Sequence, residues 1–431
     1  MKKVKETIFV CNNCGNEFGK WSGQCSACKE WNSLKEINNS EKRLKTKRGG
    51  IGVRKSEIIN LGNPPVGGLK NGYNAKIIST EIKEFDRVLG KGIVQGSVVL
   101  FAGEPGIGKS TLLTQLIGKI GGLYIAGEES PDQIAMRVKR LGLDENKFDI
   151  LAINSIEEIE ENVERTKNVF KIVVVDSIQV MSSDNIANGA GSVAQIKESA
   201  FRLVQLAKRT GVAIFIVGHV TKEGDIAGPK LLEHMVDTVL YFEGEKTSDL
   251  RILRVTKNRF GATDEVGIFR MVENGLEEVR EIKIEEGSKI GSALTIVIEG
   301  NRPMMLEIQA LIVESFSPMP KRIFSGVDYN RGQLLLAVAQ KYLGIPLYKF
   351  DVFISVTGGI KIDDTGADLA IIEAIYSSYK EKPIVGGQIS IGEVSLLGDI
   401  KKVKGWDKRL KEAKGLGRKI REVKNVRELK F

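Results

Sequence analysis

The segment Gly103–Thr111 has the composition of a phosphate-binding loop, because it satisfies the pattern G-x-x-x-x-G-K-S. Glycines let successive backbone N–H groups converge on phosphate oxygens, and a helix start adds partial positive charge. We expect Lys109 to reach the β- and γ-phosphates of ATP and Ser110 to ligate Mg²⁺. The predicted nucleotide-binding residues are Gly103, Glu104, Pro105, Gly106, Ile107, Gly108, Lys109, Ser110 and Thr111.

Three carboxylates and one histidine follow other strand-like runs. Asp176 ends an apolar run and is expected to complete the Mg²⁺ shell through water. Glu128 and Glu129 follow another run, and one of them is expected to polarise the attacking water. Both also suit the first turn of a helix, and the sequence does not choose between them. His219 ends a further run and is a candidate sensor of the γ-phosphate.

Four cysteines form two C-x₂-C pairs with a ten-residue spacer, at Cys11, Cys14, Cys25 and Cys28. Two such turns complete the closed tetrahedral shell of structural Zn²⁺. The alternatives are two disulfides, which need an oxidising compartment, or buried free thiols. We predict a structural zinc site.

The elements that must position these residues are short β-branched runs alternating with amphipathic helical stretches. This pattern predicts an α/β core with a mainly parallel sheet. We divide the chain into a Cys₄ module, a linker rich in Lys, Arg, Gly, Asn and Pro, a nucleotide-binding domain, and a second domain with new strands and a helix. The predicted boundaries are 1–36, 37–74, 75–284 and 285–431.

The net charge of +9 is concentrated at one end of the chain. The tail from Lys401 carries 13 lysines and arginines against 4 aspartates and glutamates, and we predict a basic helix over Lys401–Lys414. This favours a polyanionic partner, although a solvated helix face is the alternative. We find no apolar run of the roughly 18 residues that a membrane helix needs and no leader segment, so we expect a soluble cytoplasmic protein with no membrane partner.

The sequence resembles the bacterial RadA (Sms) DNA-repair family. The lead-in Ser79–Ser97 is similar to that of RecA-like ATPases in the family, and a KNRFG signature follows the predicted sheet. The signature residues are Lys257, Asn258, Arg259, Phe260 and Gly261. The resemblance implies three parts: a zinc module, a RecA-like core, and an α+β C-terminal domain like that of Lon protease.

The resemblance also implies a function. It implies a DNA-dependent ATPase that translocates on single-stranded DNA, drives branch migration of branched intermediates, and works as a homohexamer with a recombinase and a replicative helicase. Lys257 and Arg259 would then contact either the ATP of a neighbouring subunit or DNA phosphates, and the loops 182–192 and 222–230 would hold single-stranded DNA. The candidate DNA contacts are Lys222, Lys230, Lys257, Arg259, Lys401, Lys402 and Lys404.

A Lon-like domain raises protease activity as a rival function. Alignment with the Lon motifs puts Ala367 at the nucleophile position and Asp407 at the lysine position. Neither residue can do that chemistry, because alanine has no hydroxyl and aspartate has no amine. We therefore predict an inactive protease domain. A further alternative is a RecA-like scaffold that binds ATP mainly to assemble.

Lys109→Ala is expected to abolish the ATP turnover that single-stranded DNA stimulates, because the substitution removes the cation that faces the transferred phosphoryl group. Phosphate release measured with and without DNA checks this. Basal turnover of the unsubstituted protein that ignores every nucleic acid would contradict the motor hypothesis.

Overall fold

The computed structural model describes most of the chain, in nine segments. They are 7–11, 17–27, 29–38, 76–166, 169–219, 229–244, 248–279, 289–384 and 387–429. The predicted site residues Cys14, Cys28 and Lys222 and the side chain of Lys230 lie outside the described residues, as does nearly all of the predicted linker.

Three N-terminal strands form a small antiparallel sheet: β1 (Thr7–Cys11), β2 (Glu17–Phe18) and β3 (Leu34–Asn38), in the order β2-β1-β3. Cys11 and Cys25 are buried and pack with Leu34 in one small core. The sheet thus gives a common core to one cysteine from each C-x₂-C pair.

A nine-stranded sheet forms the centre of the molecule, preceded by a short antiparallel pair, β4 (Ile77–Ile78) and β5 (Ile93–Val94). Its strands are β6 (Val98–Gly103), β7 (Gly122–Ala126), β8 (Phe148–Leu151), β9 (Ile172–Asp176), β10 (Ala213–His219), β11 (Thr238–Glu243), β12 (Leu250–Asn258), β13 (Val266–Val272) and β14 (Gly275–Glu278). The order is β14-β13-β12-β11-β6-β10-β9-β7-β8, and the six strands from β11 to β8 are parallel. The predicted mainly parallel sheet is confirmed.

Helices cover both faces of this sheet. They are α1 (Lys83–Leu89), α2 (Lys109–Ile120), α3 (Pro131–Arg140), α4 (Ile156–Arg165), α5 (Val193–Thr210) and α6 (Pro229–Leu232). Side chains alternate across β6, so Val99 and Phe101 enter one buried core while Val98 and Leu100 enter the other. This double burial explains why the strands read as continuous apolar runs.

A four-stranded sheet forms the C-terminal unit, in the order β15-β16-β18-β17. Its elements are β15 (Ser292–Glu299), β16 (Arg302–Glu314), β17 (Arg322–Ser325), α7 (Tyr329–Leu343), β18 (Phe350–Val356), α8 (Asp368–Lys380), β19 (Glu393–Val394), β20 (Ile400–Lys401) and α9 (Trp406–Gly415). Its core also contains Leu250, Ile268 and Val279, so the two sheets share one packed boundary.

The predicted helix Lys401–Lys414 is wrong at its start. Lys401 belongs to β20, which pairs with β19, and the helix begins only at Trp406. Gly405 separates the two elements because its φ of +73° is left-handed and cannot continue a right-handed helix. Lys401, Lys402 and Lys404 are nevertheless exposed. Among the described residues, no helix has the length and apolar character to cross a membrane.

Candidate nucleotide site

The phosphate-binding loop joins the end of β6 to the start of α2. Gly106 and Gly108 have left-handed φ values of +79° and +110°, which glycine adopts readily. A Cβ on Gly108 would lie 2.7 Å from Met271 Cε, and one on Gly103 would lie 2.5 Å from the Phe242 carbonyl oxygen. A Cβ on Gly106 would meet nothing within 4 Å. The loop is therefore packed against the sheet on one side and open on the other.

Lys109 is the first residue of α2 and is only 3% exposed. Its Nζ donates to the carbonyl oxygens of Gly103 at 2.8 Å and Glu104 at 2.9 Å. Burial lowers the pKa of Lys109 to about 8, although three nearby carboxylates oppose that shift. These carboxylates belong to Asp176, Glu128 and Glu104. The structure thus brings the predicted lysine and two of the predicted acids into one electrostatic environment.

Asp176 ends β9 beside β7 and is held by a residue that the sequence analysis missed. The buried Tyr124 hydroxyl donates to its carboxylate. Burial and the charge of Asp176 raise the pKa of Tyr124 well above its usual value, so the phenol stays protonated and remains a donor. A tyrosine inside an apolar strand gave no functional signal in the sequence.

The structure separates Glu128 from Glu129. Glu129 forms an ion pair with Arg137 of α3, a helix capped by Ser130 and Gln133. Glu128 instead accepts a hydrogen bond from the Ser177 hydroxyl, at the end of β9. Glu128 therefore faces the sheet edge with Lys109, whereas Glu129 is tied to the neighbouring helix.

His219 ends β10 in register with Gly103, the first residue of the phosphate-binding loop. Its Nε2 lies 3.4 Å from Glu128 Oε1. Its buried Nδ1 has no hydrogen-bond partner among the described residues. His219 thus connects Glu128 to the C-terminal end of β10.

The KNRFG residues lie at the other edge of the sheet. Asn258 pairs with Thr238, which in turn pairs with Val99 near the start of β6. Gly103, where the phosphate-binding loop begins, lies four residues further along β6 than Val99. The loop and Asn258 are therefore offset by about 13 Å along the strand direction. The structure therefore does not bring the predicted cations to the phosphate loop of their own chain.

The two predicted cations of this signature have partners of their own. Lys257 Nζ donates to the Glu233 carbonyl oxygen at 2.5 Å, and Arg259 forms an ion pair with Asp237 at 3.1 Å. Desolvation and the charge of Arg259 lower the pKa of Lys257. The Arg259 side chain is 51% exposed, so it is accessible from outside the chain.

The predicted DNA loop 182–192 leaves the sheet at the same edge as the phosphate-binding loop. One buried amide organises it, because Gln195 Nε2 donates to the carbonyl oxygens of Ser183, Ile186 and Asn188. Gln195 Oε1 also accepts from the Ser183 N–H at 2.8 Å. The second predicted loop lies almost wholly outside the described residues.

The geometry of the predicted zinc site stays a prediction, because the structure describes only two of its four cysteines. Cys11 donates to the Ser33 hydroxyl at 3.3 Å, and Cys14 and Cys28 lie outside the described residues. Within the part of the chain that is described, no group of three or more His, Cys, Asp or Glu side chains could hold a metal.

The C-terminal unit has a cavity of about 220 Å³ next to Ala367. Ala367 is buried where α8 begins, and Asp407 is exposed on α9. Arg331 and Asp368 line the cavity and form an ion pair with each other. Among the described residues that line the cavity there is no serine, cysteine or lysine, and Thr365 supplies the one hydroxyl side chain.

Two family models match separate parts of the chain. Residues 78–279 match the ATPase model described as KaiC, and residues 9–36 match the rubredoxin metal binding domain. The first range contains the phosphate-binding loop, and the second contains all four cysteines. The matches confirm the predicted RecA-like core and the metal-binding ribbon in front of it.

Known proteins are similar to the chain over nearly its whole length. The DNA repair protein RadA of Pseudomonas aeruginosa is 43% identical over 422 residues, which cover 96% of this chain and 91% of the relative. DNA repair protein RadA of Bacillus subtilis is 43% identical over 427 residues, covering 97% and 92%.

Solved structures resemble about half of the chain. The KaiC-like protein PH0186 of Pyrococcus horikoshii is 20% identical with a TM-score of 0.40, and it covers 48% of this chain and 100% of its own. The RadB recombinase is 23% identical with a TM-score of 0.38, covering 47% and 100%.

The low pKa of Lys109 predicts proton uptake when ATP binds. At pH 8 about half of the Lys109 side chains are neutral, because the pH equals the pKa. Phosphate anions raise the pKa of a nearby amine, so binding should take up about half a proton at pH 8. The affinity for ATP should therefore fall as the pH rises through the Lys109 pKa of about 8. Calorimetry in two buffers of different ionisation enthalpy measures the uptake, and Lys109→Met should remove it. Equal uptake by the variant would contradict the assignment.

Proposed function

Because this chain belongs to the RadA family of DNA repair proteins, we propose that it is a DNA-dependent ATPase that translocates on single-stranded DNA and promotes branch migration in recombination and repair. One observation carries the proposal. The phosphate-binding loop and the cations Lys257 and Arg259 lie at opposite edges of one sheet. A ring of identical subunits brings such edges together, so each nucleotide is enclosed by two subunits.

The first part of the proposed mechanism is the capture of ATP by the phosphate-binding loop. The open side of the loop at Gly106 leaves room for phosphates, and the backbone N–H groups and the start of α2 attract them. Lys109 exchanges the carbonyl oxygens of Gly103 and Glu104 for phosphate oxygens. Ser110 and Asp176 would hold Mg²⁺, which when bound neutralises charge on the β- and γ-phosphates.

The second part is the hydrolysis step. Glu128 orients a water for attack on the γ-phosphorus, the bond to the β–γ bridging oxygen breaks, and the products are ADP and inorganic phosphate. The proton of the water passes to the Glu128 carboxylate. Ser177 and His219 hold Glu128 in place, and Tyr124 holds Asp176. Glu129 has a structural role, because Arg137 engages its carboxylate.

The third part is charge stabilisation by the neighbouring subunit. Lys257 or Arg259 of one subunit faces the γ-phosphate bound to the next, where a cation stabilises the charge that develops. Lys257 is half-buried near the end of β12, and Arg259 directly follows the strand with a side chain that is 51% exposed. ATP turnover therefore requires assembly, and we propose a homohexamer.

DNA is proposed to bind on the loop 182–192 and on the basic C-terminal surface. The Ser177 hydroxyl, which donates to Glu128, follows β9 and lies five residues before this loop, so a change at Glu128 has a short path to the DNA. Lys401, Lys402 and Lys404 are exposed and suit contacts with the phosphate backbone. Lys222 and Lys230 remain proposed contacts of the second loop.

The outer units are proposed to support this motor. The ribbon holds Zn²⁺ through Cys11, Cys14, Cys25 and Cys28, and the C-terminal unit is a Lon-like platform without protease activity. We further propose cytoplasmic action with a recombinase and a replicative helicase as partners.

Branch migration of a three-strand DNA intermediate tests the proposed function. The protein with ATP and Mg²⁺ should displace strands, whereas Lys109→Ala with ATP, or the unsubstituted protein without ATP, should bind the DNA and leave it in place. ATP hydrolysis that moves no strand, with equal DNA affinity in every nucleotide state, would refute the motor and favour a scaffold.

The separation of the two glutamates gives a matched pair of variants. Glu128→Gln should lower kcat by roughly 10²–10⁴-fold, because an amide cannot take the proton from water. Glu129→Gln should leave kcat within a few-fold and cost about 1 kcal/mol or less of stability, since only a part-exposed ion pair with Arg137 is lost. Steady-state ATPase assays and thermal unfolding measure both. The reverse ranking would assign catalysis to Glu129.

A further inference from the structure

The loop between β12 and β13, residues 259–265, carries the end of the KNRFG signature and is held from two sides. On one side lies α1. Asn258 Nδ2 donates to the Leu89 carbonyl oxygen at 3.3 Å, and a Cβ on Gly90 would lie 3.6 Å from Gly261 Cα. The first half of the loop therefore rests on the C-terminal end of α1.

The other side of the loop rests on the C-terminal unit. The turn between β15 and β16 contains Gly300 and Asn301, and the Asn301 N–H donates to the Asp264 carbonyl oxygen at 2.5 Å. Gly300 has a φ of +61°, and a Cβ there would lie 2.2 Å from the same oxygen. Lys408 of α9 donates to Asn301 Oδ1 at 2.5 Å. The β15–β16 turn thus packs directly against the backbone of the β12–β13 loop.

A buried ion pair fixes α1 to the same turn. Arg302 pairs with Glu84 of α1, and their side chains are only 6% and 2% exposed. Glu84 Oε2 also accepts from the Ile268 N–H at 3.0 Å, and Arg302 Nη2 donates to the Val279 carbonyl oxygen at 3.0 Å. A buried pair of this kind resists separation, because breaking it leaves an uncompensated charge. Both supports of the loop therefore meet at the β15–β16 turn.

We propose that the β15–β16 turn of the C-terminal unit, through Gly300, Asn301 and the adjoining Arg302 of β16, positions the β12–β13 loop. This loop begins with Arg259 and directly follows the end of β12 that carries Lys257, so its position decides how both cations face the neighbouring subunit. The inference rests on the proposed function, in which these cations act across the subunit boundary. Gly300, Asn301 and Arg302 are positioning residues, since they touch the loop or α1 and lie apart from the phosphate-binding loop. The C-terminal unit then controls ATP turnover on the adjacent subunit.

Gly300→Ala tests this directly, because the added Cβ meets the Asp264 carbonyl oxygen. Gly344→Ala is the matched control in the same unit. Gly344 also has a left-handed φ, of +68°, but a Cβ there meets nothing within 4 Å. We expect Gly300→Ala to lower kcat by about 10-fold or more with KM for ATP nearly unchanged, because displacement of a catalytic group affects mainly the transition state. Gly344→Ala should retain the kcat of the unsubstituted protein.

Mixed oligomers distinguish a positioning defect from general loss of structure, because only the positioning defect predicts a gain of ATPase activity on mixing. Lys109→Ala subunits have a defective phosphate-binding loop but a normal β12–β13 loop. Gly300→Ala subunits have a normal phosphate-binding loop but a displaced β12–β13 loop. Co-assembled oligomers of the two should hydrolyse ATP faster than the two variants measured separately. A mixture of the double variant Lys257→Ala/Arg259→Ala with Lys109→Ala is the reference for action across the boundary, because it removes both candidate cations from one kind of subunit.

The two levels of the hypothesis fail differently. No gain in the reference mixture would overturn the proposed action of Lys257 or Arg259 across the boundary. A gain in that mixture, together with a Gly300→Ala variant that behaves like Gly344→Ala, would overturn the positioning role alone.

A second variant decides the matter if Gly300→Ala does not fold. The double substitution Glu84→Gln/Arg302→Met removes both buried charges together, so neither is left unpaired. It should show the same fall in kcat and the same gain on mixing. Normal kcat in the folded double variant would overturn the inference.

Discussion

The carboxyl ends of parallel strands meet at one edge of a sheet, and the chemistry of this chain depends on that constraint. The phosphate-binding loop, Glu128, Asp176 and His219 follow four different strands, yet all reach the same edge because β6, β7, β9 and β10 run in one direction. The antiparallel strand β12 runs the other way, so its last residues reach the opposite edge. A single reversal of strand direction thus divides the charged groups between two sides of the subunit.

Much of this arrangement could be predicted from sequence because it depends on local pattern. The phosphate-binding loop is a contiguous motif, and the central strands are apolar on both faces. Tyr124 and Arg137 were missed, since their importance comes from neighbours that are distant in the chain. The Glu84–Arg302 pair spans more than two hundred residues and has no local signature.

One wrong boundary and one choice that the sequence left open have physical causes. The charge pattern after Lys401 suited a helix, but pairing of β20 with β19 and the left-handed Gly405 delay the helix to Trp406. The adjacent glutamates looked equivalent in sequence, but consecutive residues beyond a strand point in different directions. Glu128 therefore meets Ser177, and Glu129 meets Arg137.

The hydrogen bonds of the Gln195 amide have a consequence for how the loop 182–192 would bind and release DNA. Three carbonyl oxygens of one loop are tied to a single side chain on α5, so the loop has its shape before any ligand arrives. If this loop binds DNA as proposed, little conformational entropy would be lost when the DNA strand binds and little would be regained when it leaves. Because Gln195 ties the loop to α5, repeated binding and release of DNA under the proposed function would not require the loop to refold.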